Sequence, residues 1–350
     1  MPAPTAVVII DSSRSAGDDW LHLLPVANRP LLLRILDSLI EAGVGAAALA
    51  VEPELVPRVR ALLDASHPLP FELGYLRCAA GEGLVGALKA ADEVAADSPL
   101  LLHWGCGLFK ASLRAQLGAQ PTGPYDALLL VDRPRGESPV VDLAAERLAA
   151  LIGQPRSHSR GSLAGVALLG PGAGEAARAV EPGRGADLDL LAVVERMLKL
   201  GGRVSMLPAA RGWYYTGAID SALEVNRFLL EEVAVQPPEC ELLETVLQGP
   251  AQIDNSATLE HSIIRGPVVV GPRTRLVDAY IGPYTSIGED VCVEGAEIEN
   301  SIVLSCSRIR HVGGRLEASV IGPGASICRD FRLPRALRLH VGEGARVSLA

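Results

Sequence analysis

The feature that most restricts the fold is a repeat of small or branched apolar residues at every fifth or sixth position, beginning near Ile253. Pro, Ser and Thr fall between the repeats, at positions suited to turns. Such a hexapeptide period is typical of a parallel β-helix, in which each short strand turns an apolar side chain inward and no coil is stable alone. The alternative, a chance run of Val and Ile in a β-sandwich, explains the agreement in phase less well. The repeats include Val270-Gly271, Ile281-Gly282, Ile287-Gly288, Ile321-Gly322 and Val341-Gly342.

The first half has a different pattern, in which apolar strands alternate with helices. Residues 6–10 are a continuous apolar run suited to a strand buried on both faces, and Pro30 begins a helical pattern that Gly43 ends. Further strands are predicted at 45–51, 71–76 and from 100, and further helices at 56–63 and 84–94. This alternation predicts a mostly parallel α/β sheet. Ligands bind outside the carboxyl ends of such strands, so the loops after Ile10 and Leu102 are expected to flank the pocket.

The length and the change of pattern indicate two domains. A chain of 350 residues is too long for one ordinary core. Pro237 and Pro238 are suited to a linker. We therefore expect an α/β domain at 1–236 and a β-helix domain at 237–350.

The bulk composition excludes several functional classes. No apolar run is long enough to span a bilayer and no signal peptide is visible, so a cytoplasmic protein is expected. The net charge is −9 and no Lys/Arg cluster occurs, which argues against nucleic acid and membrane partners. The cysteines lack a CxxC spacing, which indicates free thiols in a reduced compartment. They are Cys78, Cys106, Cys240, Cys292, Cys306 and Cys328.

Several segments, in the same order along the chain, resemble sugar-1-phosphate nucleotidyltransferases. The segments are LLPVANRP (23–30), GLVGA (83–87), WYYTG (213–217), LEVNR (223–227) and IGPYTSIG (281–288). The similarity is greatest to long-form glucose-1-phosphate thymidylyltransferases, which carry a C-terminal β-helix. The resemblance implies a Rossmann-like nucleotidyltransferase domain followed by a left-handed parallel β-helix of hexapeptide repeats.

The phosphate-binding residues depart from the family pattern. The family has a GGxGTRL loop whose backbone amides cradle the nucleotide phosphates, and the aligned residues here are Asp11, Ser12, Ser13 and Arg14. Serine side chains hinder the close approach that glycine allows, and Asp11 adds a negative charge. Arg14 remains a candidate phosphate contact, although a solvated loop arginine is the simpler interpretation. Leu21 stands where the family has a lysine that neutralises phosphate in the transition state.

The metal-binding and sugar-binding positions depart as well. Cys106 and Tyr215 stand where the family has two magnesium-binding aspartates. Magnesium prefers hard oxygen ligands, so neither a magnesium site nor another cofactor is expected. The family's EKP segment, which holds the sugar phosphate, reads Gly153-Gln154-Pro155. A glycine beside the sugar aligns with Pro139, and the glutamine that pairs with the base aligns with Cys78.

Some residues are still candidates for a ligand pocket. Asp187 and Asp189 align with a family ELE segment that touches the sugar. The alternative for this pair is a charge pair at the favourable N-terminal end of a helix dipole. The candidates for the pocket are Asp11, Ser12, Ser13, Arg14, Gly83, Cys106, Asp187 and Tyr215.

Cys106 is a speculative catalytic residue. It lies between two glycines and three residues after His103, and a thiol at a strand end is a nucleophile when a histidine base is in reach. His22 is a second candidate histidine for the pocket. The simpler interpretation is that a small residue fills the space of a lost metal. No other catalytic residue is predicted.

Taken with the resemblance, these substitutions favour a nucleotidyltransferase-like pseudoenzyme that acts by binding. Its role would be regulatory, scaffolding or ligand-presenting, in sugar or secondary-metabolite biosynthesis, with a nucleotide or sugar phosphate as ligand. A homo-oligomer is expected, and a heteromer with a pathway enzyme is an alternative. The competing hypothesis is an active enzyme. It would be either a diverged sugar-1-phosphate nucleotidyltransferase or a transferase with new chemistry around Cys106.

Overall fold

The computed structural model divides by contacts into two compact units. One comprises Met1–Leu23 with Leu31–Tyr215, and the other Leu24–Pro30 with Thr216–Ala350. The units place the segment 24–30 and the helix near residue 220 with the β-helix, whereas the sequence division placed both in the α/β domain. The division at 236/237 stays a prediction. The described residues are 5–10, 22–66, 68–78, 82–95, 99–105, 107–118, 125–132, 140–142, 160–183, 185–209, 212–213, 219–235, 237, 239–329 and 331.

The elements up to residue 230 alternate between strands and helices, as the sequence predicts. In chain order they are β1 (Thr5–Ile10), β2 (Pro25–Val26), β3 (Arg29–Pro30), α1 (Leu31–Ala42), β4 (Ala46–Val51), α2 (Val56–Asp64), β5 (Glu72–Arg77), α3 (Gly83–Ala95), β6 (Leu100–Trp104), β7 (Leu108–Phe109), α4 (Leu113–Gly118), β8 (Ala127–Asp132), β9 (Val140–Asp142), β10 (Arg160–Leu169), α5 (Ala173–Arg178), α6 (Ala186–Lys199), β11 (Val204–Pro208), β12 (Gly212–Trp213) and α7 (Ile219–Leu230).

The centre of the first unit is an eight-stranded sheet with strand order β11-β8-β10-β6-β1-β4-β5, in which β9 pairs with β10 outside this order. Strands β6, β1, β4 and β5 are parallel, and β11 is parallel to β8. Strand β10 runs antiparallel to both β6 and β8. The predicted mostly parallel α/β sheet is thereby confirmed. The parallel strands β1, β4 and β6 place their carboxyl ends at one edge.

Burial explains why these segments form strands and helices. Strand β1 is buried from Ala6 to Ile10, which accounts for its unbroken apolar sequence. Helix α1 buries Leu31, Ile35 and Leu39 on one stripe, as the period of 3.6 residues predicts. Gly43 then adopts φ 78°, a left-handed backbone that ends a helix at little cost for glycine.

The second unit contains the parallel coils that the hexapeptide period predicts. Its strands are β13 (Glu241–Leu243), β14 (Val246–Gln248), β15 (Ala251–Ile253), β16 (Thr258–Glu260), β17 (Ile263–Arg265), β18 (Val268–Val270), β19 (Arg275–Val277), β20 (Tyr280–Ile281), β21 (Thr285–Ile287), β22 (Cys292–Glu294), β23 (Glu297–Glu299), β24 (Ile302–Val303), β25 (Arg308–Arg310), β26 (Arg315–Glu317), β27 (Val320–Ile321) and β28 (Ser326–Cys328).

These strands stack in three parallel sheets, one strand from each coil in each sheet. Their orders are β13-β16-β19-β22-β25-β28, β14-β17-β20-β23-β26 and β15-β18-β21-β24-β27. The register aligns Ile264, Ile281 and Ile298 in one inward column, and all three are fully buried. This register confirms the β-helix, while its left-handed sense stays a prediction. The repeat predicted at Val341-Gly342 lies outside the described residues.

The coils begin earlier than the sequence indicated. The first strand starts at Glu241, ahead of the first repeat recognised near Ile253. The adjacent Leu242 and Leu243 hide the period: Leu242 pairs in register with the buried Leu259, and the next residue, Leu243, is also leucine but is 51% exposed. Within the described ranges, no helix is long and apolar enough to cross a membrane.

Candidate functional site

Much of the predicted phosphate and metal site lies outside the described residues. This holds for the loop candidates Asp11, Ser12, Ser13 and Arg14, and for Leu21, Cys106, Pro139, Gly153-Gln154-Pro155 and Tyr215. Their proposed roles stay predictions. Of the pocket candidates, the structure places Gly83 and Asp187, together with the base-position residue Cys78. The described part of the site therefore consists of the strand ends and helix starts around these residues.

Described residues at the carboxyl ends of β1, β4 and β5 border a small cavity. Ile10, Val51, Cys78 and Gly83 border a cavity there of about 20 Å³. A space of that size holds about one water molecule. Gly83 begins α3 with φ 45°, a left-handed conformation that glycine adopts readily. Where the family has a glutamine for the base, this edge therefore presents a half-buried thiol beside a very small cavity.

The Cys78 thiol is held in its neutral form. Burial, with a smaller contribution from the nearby Glu82 carboxylate, raises the pKa of Cys78 to about 11. The nucleophile and metal ligand in cysteine chemistry is the thiolate, so Cys78 is unreactive near neutral pH. A neutral thiol also lacks the paired donor and acceptor with which an amide side chain reads a base.

Asp187 is engaged by a tryptophan in the core. It lies in the first turn of α6, and its Oδ1 accepts a 2.7 Å hydrogen bond from Nε1 of Trp104, the last residue of β6. Trp104 is fully buried, and only 5% of Asp187 is exposed. Sequence reasoning missed this pair. Its one signal was a tryptophan in an apolar strand, since a buried indole N–H needs an acceptor.

Asp189 is also held internally. Its Oδ2 accepts a 3.1 Å hydrogen bond from the backbone N–H of Gly183, in the loop before α6. The side chain is buried, like that of Asp187. Both carboxylates lie in the first turn of a helix, where the dipole stabilises negative charge. These contacts agree with the alternative interpretation, in which the two aspartates are a charge pair at the start of a helix. The role of Asp187 in a ligand pocket stays a prediction.

His103 lies fully inside the same sheet. It pairs in register with Val8 of β1 and Val166 of β10, and its Nε2 lies 3.1 Å from the carbonyl oxygen of Gly107. Burial lowers the pKa of His103 to about 4, opposed by the Gly107 contact, and repulsion from His22 adds to the lowering. The ring is therefore neutral at physiological pH. A base this weak would draw a proton from a thiol poorly, whatever the position of Cys106.

The low pKa of His103 predicts a loss of stability in mild acid. The unfolded ring binds a proton near pH 6.5 and the folded ring near pH 4, so the unfolded state binds more protons between these values. Stability should fall as the pH drops through that window, by about 3 kcal/mol in total. Urea unfolding across the window measures this slope.

The matched variants for that experiment are His103→Gln and His261→Gln. The first removes the buried titrating ring and should flatten the pH dependence. The second removes a half-exposed imidazole on a β-helix corner and serves as the surface control. An unaltered slope in His103→Gln would contradict the assignment.

The described groups near these strand ends are a neutral thiol, a neutral imidazole, a carboxylate that already accepts a hydrogen bond from Trp104, and the carboxylates of Glu52 and Glu82. Magnesium needs a nearly octahedral set of oxygens. In the ranges that the structure describes, no three His, Cys, Asp or Glu side chains form a metal-binding group. Because Cys106 and Tyr215 lie outside those ranges, the absence of a metal site stays a prediction.

In the second unit, three of the segments that carry the sequence resemblance lie together. Asn226 of α7 accepts a 2.8 Å hydrogen bond from the backbone N–H of Ala27 and donates one of 3.0 Å to the carbonyl oxygen of Tyr284. Asn28 donates a 2.6 Å bond to the carbonyl oxygen of Ile287. The guanidinium of Arg227 lies 4.3 Å from the centre of the Tyr284 ring. The signature residues Asn28 and Asn226 therefore hold the β2–β3 hairpin and α7 to the β-helix.

Comparison with curated proteins identifies relatives along nearly the whole chain. A glucose-1-phosphate thymidylyltransferase of Streptomyces griseus is 29% identical over 341 residues, which cover 94% of this chain and 93% of that protein. A second, from Streptomyces antibioticus, is 28% identical over a similar span. The low-salt glycan biosynthesis nucleotidyltransferase Agl11 of Haloferax volcanii is 27% identical over 337 residues. No family model matches the chain.

Solved structures share the fold over about two thirds of the chain. A crystal structure described as a glucose-1-phosphate thymidylyltransferase of Bacillus anthracis, in complex with a sucrose, aligns with a TM-score of 0.56 and 14% identity over 67% of this chain and 98% of that one. A UDP-glucose pyrophosphorylase complexed with UDP-glucose aligns with a TM-score of 0.55 and 12% identity. At such identities the likeness supports the fold alone.

Proposed function

Because the chain is a homologue of the sugar-1-phosphate nucleotidyltransferases along nearly all of its length, we propose that it is a non-catalytic member of that group which acts by binding. Its role would be regulatory, scaffolding or ligand-presenting in sugar or secondary-metabolite biosynthesis. The observation that carries this proposal is the 2.7 Å hydrogen bond from Trp104 to Asp187. A carboxylate at a family sugar-contacting position is here engaged by a core side chain.

The lost charges support the same proposal. Phosphoryl transfer depends on positioning and on stabilising negative charge, and the protein supplies little covalent chemistry. Leucine at position 21, cysteine at 106 and tyrosine at 215 offer neither the lysine charge nor the two metal carboxylates that the family uses. Ser12 and Ser13 also place side chains where the family's glycines admit phosphate.

The base-binding edge supports it independently. Cys78 is a neutral thiol there, and the cavity that it borders among the described residues has a volume of about 20 Å³, enough for about one water molecule. A ligand that binds at the carboxyl edge would need contacts from other residues.

An assay of pyrophosphate release from a nucleoside triphosphate and a sugar-1-phosphate tests the proposal, because an active enzyme needs magnesium and the triphosphate, and a binding protein needs neither.

A protein that acts by binding needs an interaction surface. We propose that the β-helix provides a surface through which two copies of this chain associate. Three aliphatic side chains at one corner of its first coils are about half exposed: Leu243 at 51%, Val246 at 48% and Ile263 at 42%. Exposed apolar clusters of this kind often mark protein interfaces. Twofold dimers are the commonest closed assemblies.

This proposal predicts an oligomer that a single charge disrupts. The full chain should scatter light as a dimer or tetramer at micromolar concentration, and Ile263→Glu should shift it towards the monomer. The control is Val235→Glu, which places the same charge on a residue 75% exposed outside the β-helix strands. A monomeric full chain, or an oligomer unaffected by Ile263→Glu, would refute the proposed surface.

A further inference from the structure

The second unit contains a cleft that none of the predicted site residues uses. It has a volume of about 480 Å³, within the range of small-molecule sites. One wall is the β2–β3 hairpin, and the other is formed by the first coils with the segment that leads into them. We call it the β-helix cleft and define it by Asn28, Glu239, Gln252, Asp254, Asn255 and Val269.

The charge of the cleft is opposite to what a phosphate ligand requires. Glu239 and Asp254 supply two carboxylates, and no Lys or Arg is among the described residues that line it. Ser256 donates to Asp254 Oδ1 from its hydroxyl at 2.7 Å and its backbone N–H at 2.9 Å. These bonds, with a smaller effect of Arg273, lower the pKa of Asp254, so it is ionised at neutral pH. Arg273 is itself paired with Asp290 at 2.6 Å.

The polar walls are held in place. Asn255 Nδ2 donates a 3.0 Å hydrogen bond to Glu239 Oε2, which ties the segment before the coils to the first turn. The side chain of Asn28 is fixed by its bond to the carbonyl oxygen of Ile287. Between these polar groups, Val269 forms an apolar floor. Fixed polar groups around an apolar floor favour a ligand with a hydroxylated edge and a less polar face.

A buried hydroxyl without a partner lies next to this floor. Ser286 follows Gln252 and Val269 in one outward-facing column of the sheet β15-β18-β21, because the flanking Val268, Val270 and Ile287 face the β-helix core. Only 1% of Ser286 is exposed, and its Oγ has no hydrogen-bond partner in the described chain. Ser286 adjoins the lining residue Val269 in register, and because buried hydroxyls are normally satisfied, it indicates a missing partner beside the floor of the cleft.

We propose that the β-helix cleft binds a small hydroxylated organic cation of the amino-sugar class, with the ammonium between Asp254 and Glu239 and the ring over Val269. The ligand hydroxyls meet the amides of Asn28 and Gln252, and the innermost hydroxyl is directed towards Ser286, the register neighbour of Val269. The cleft excludes sugar phosphates by like charge. This inference concerns the β-helix unit, so it holds or fails separately from the absence of nucleotidyl transfer.

Calorimetric titration of the full chain with three probes tests the ligand chemistry. Protonated glucosamine should bind, glucose should bind about tenfold more weakly because it lacks the charge-assisted bond, and glucose-1-phosphate should show no binding in this cleft. The proposal is overturned if glucosamine does not bind, or if glucose binds equally well. Binding of glucose-1-phosphate that Asp254→Asn alters would place the phosphate in this cleft and overturn the proposal as well.

Matched variants localise the binding. Asp254→Asn keeps an oxygen that accepts from Ser256, so the turn should persist while glucosamine affinity falls about tenfold. The control is Asp278→Asn, which removes the same charge from an exposed corner outside the cleft and should leave affinity unchanged. Equal losses in both variants would reduce the effect to net charge and overturn the site.

Ser286→Ala gives a second readout. The free protein should melt at the same or a higher temperature, because a buried hydroxyl without a partner is removed, while glucosamine affinity falls several-fold. Unchanged affinity for glucosamine in this variant would place the ligand away from the inner end, against the proposal.

Discussion

Purified protein supplied with dTTP, glucose-1-phosphate and magnesium is expected to release pyrophosphate at least about ten thousandfold more slowly than an active thymidylyltransferase. The family lysine and two aspartates are replaced by Leu21, Cys106 and Tyr215. Each such electrostatic contact contributes about 2–4 kcal/mol to catalysis, so losing three costs roughly 6–12 kcal/mol. That range corresponds to a rate reduction of about 10⁴-fold or more. A coupled pyrophosphate assay measures it, with UTP and other triphosphates tested in parallel.

The triple substitution Leu21→Lys, Cys106→Asp and Tyr215→Asp tests whether the missing charges alone explain the lack of activity. It restores the missing charges but leaves Ser12 and Ser13 in the phosphate loop, so activity should remain near background. Strong activity in the triple variant would show that the loop tolerates serine. Wild-type turnover within a hundredfold of an active relative would contradict the non-catalytic function altogether.

The architecture could be predicted because its patterns are local. The β-helix was visible from one apolar residue per short strand, and the column Ile264, Ile281 and Ile298 confirms that period. The parallel sheet followed from strands such as β1, which is buried on both faces and therefore apolar throughout. A pattern that repeats along the chain reports which face of each element is buried, and this is sufficient for the fold class.

The contacts of single polar side chains could not be predicted in the same way. Trp104 and Asp187 are 83 residues apart, and Asn28 and Ile287 are 259 apart. No local period records which distant residue a side chain will meet. The resemblance to a family identified Asp187 as a sugar contact and the segment around Asn28 as a signature. The three-dimensional contacts show in addition that both residues form hydrogen bonds to distant parts of the chain, while the sugar contact of Asp187 stays a prediction.

The antiparallel strand β10 illustrates the same limit. It lies between β6 and β8 and forms a register shift against β8 between Leu163 and Ala167. From Leu163 to Leu169 its sequence is apolar apart from Gly165, like that of the parallel strands, because this part is also buried in the sheet. Burial on both faces determines such a sequence, and strand direction leaves no mark on it.

Substitution of Trp104 is expected to lower the stability strongly, and two different substitutions separate the contribution of packing from that of the hydrogen bond to Asp187. Trp104→Ala removes a fully buried indole and should lower the free energy of unfolding by about 3–5 kcal/mol, measured by urea denaturation. Trp104→Phe retains an aromatic ring and deprives Asp187 of this donor, so a smaller loss of about 1–3 kcal/mol is expected.

The structural role of the Asp187 carboxylate is tested by comparing the stability of Asp187→Asn with that of a surface control variant. Asparagine keeps an oxygen that accepts from Trp104 Nε1, so Asp187→Asn should be less destabilising than Trp104→Ala. Leu200→Ala, at a residue 56% exposed, should change stability by less than about 0.5 kcal/mol. If Trp104→Ala cost no more than Leu200→Ala, the pair would have no structural role. The hydrogen bond from Trp104 would then not account for the position of Asp187, and the central support for a non-catalytic protein would be lost.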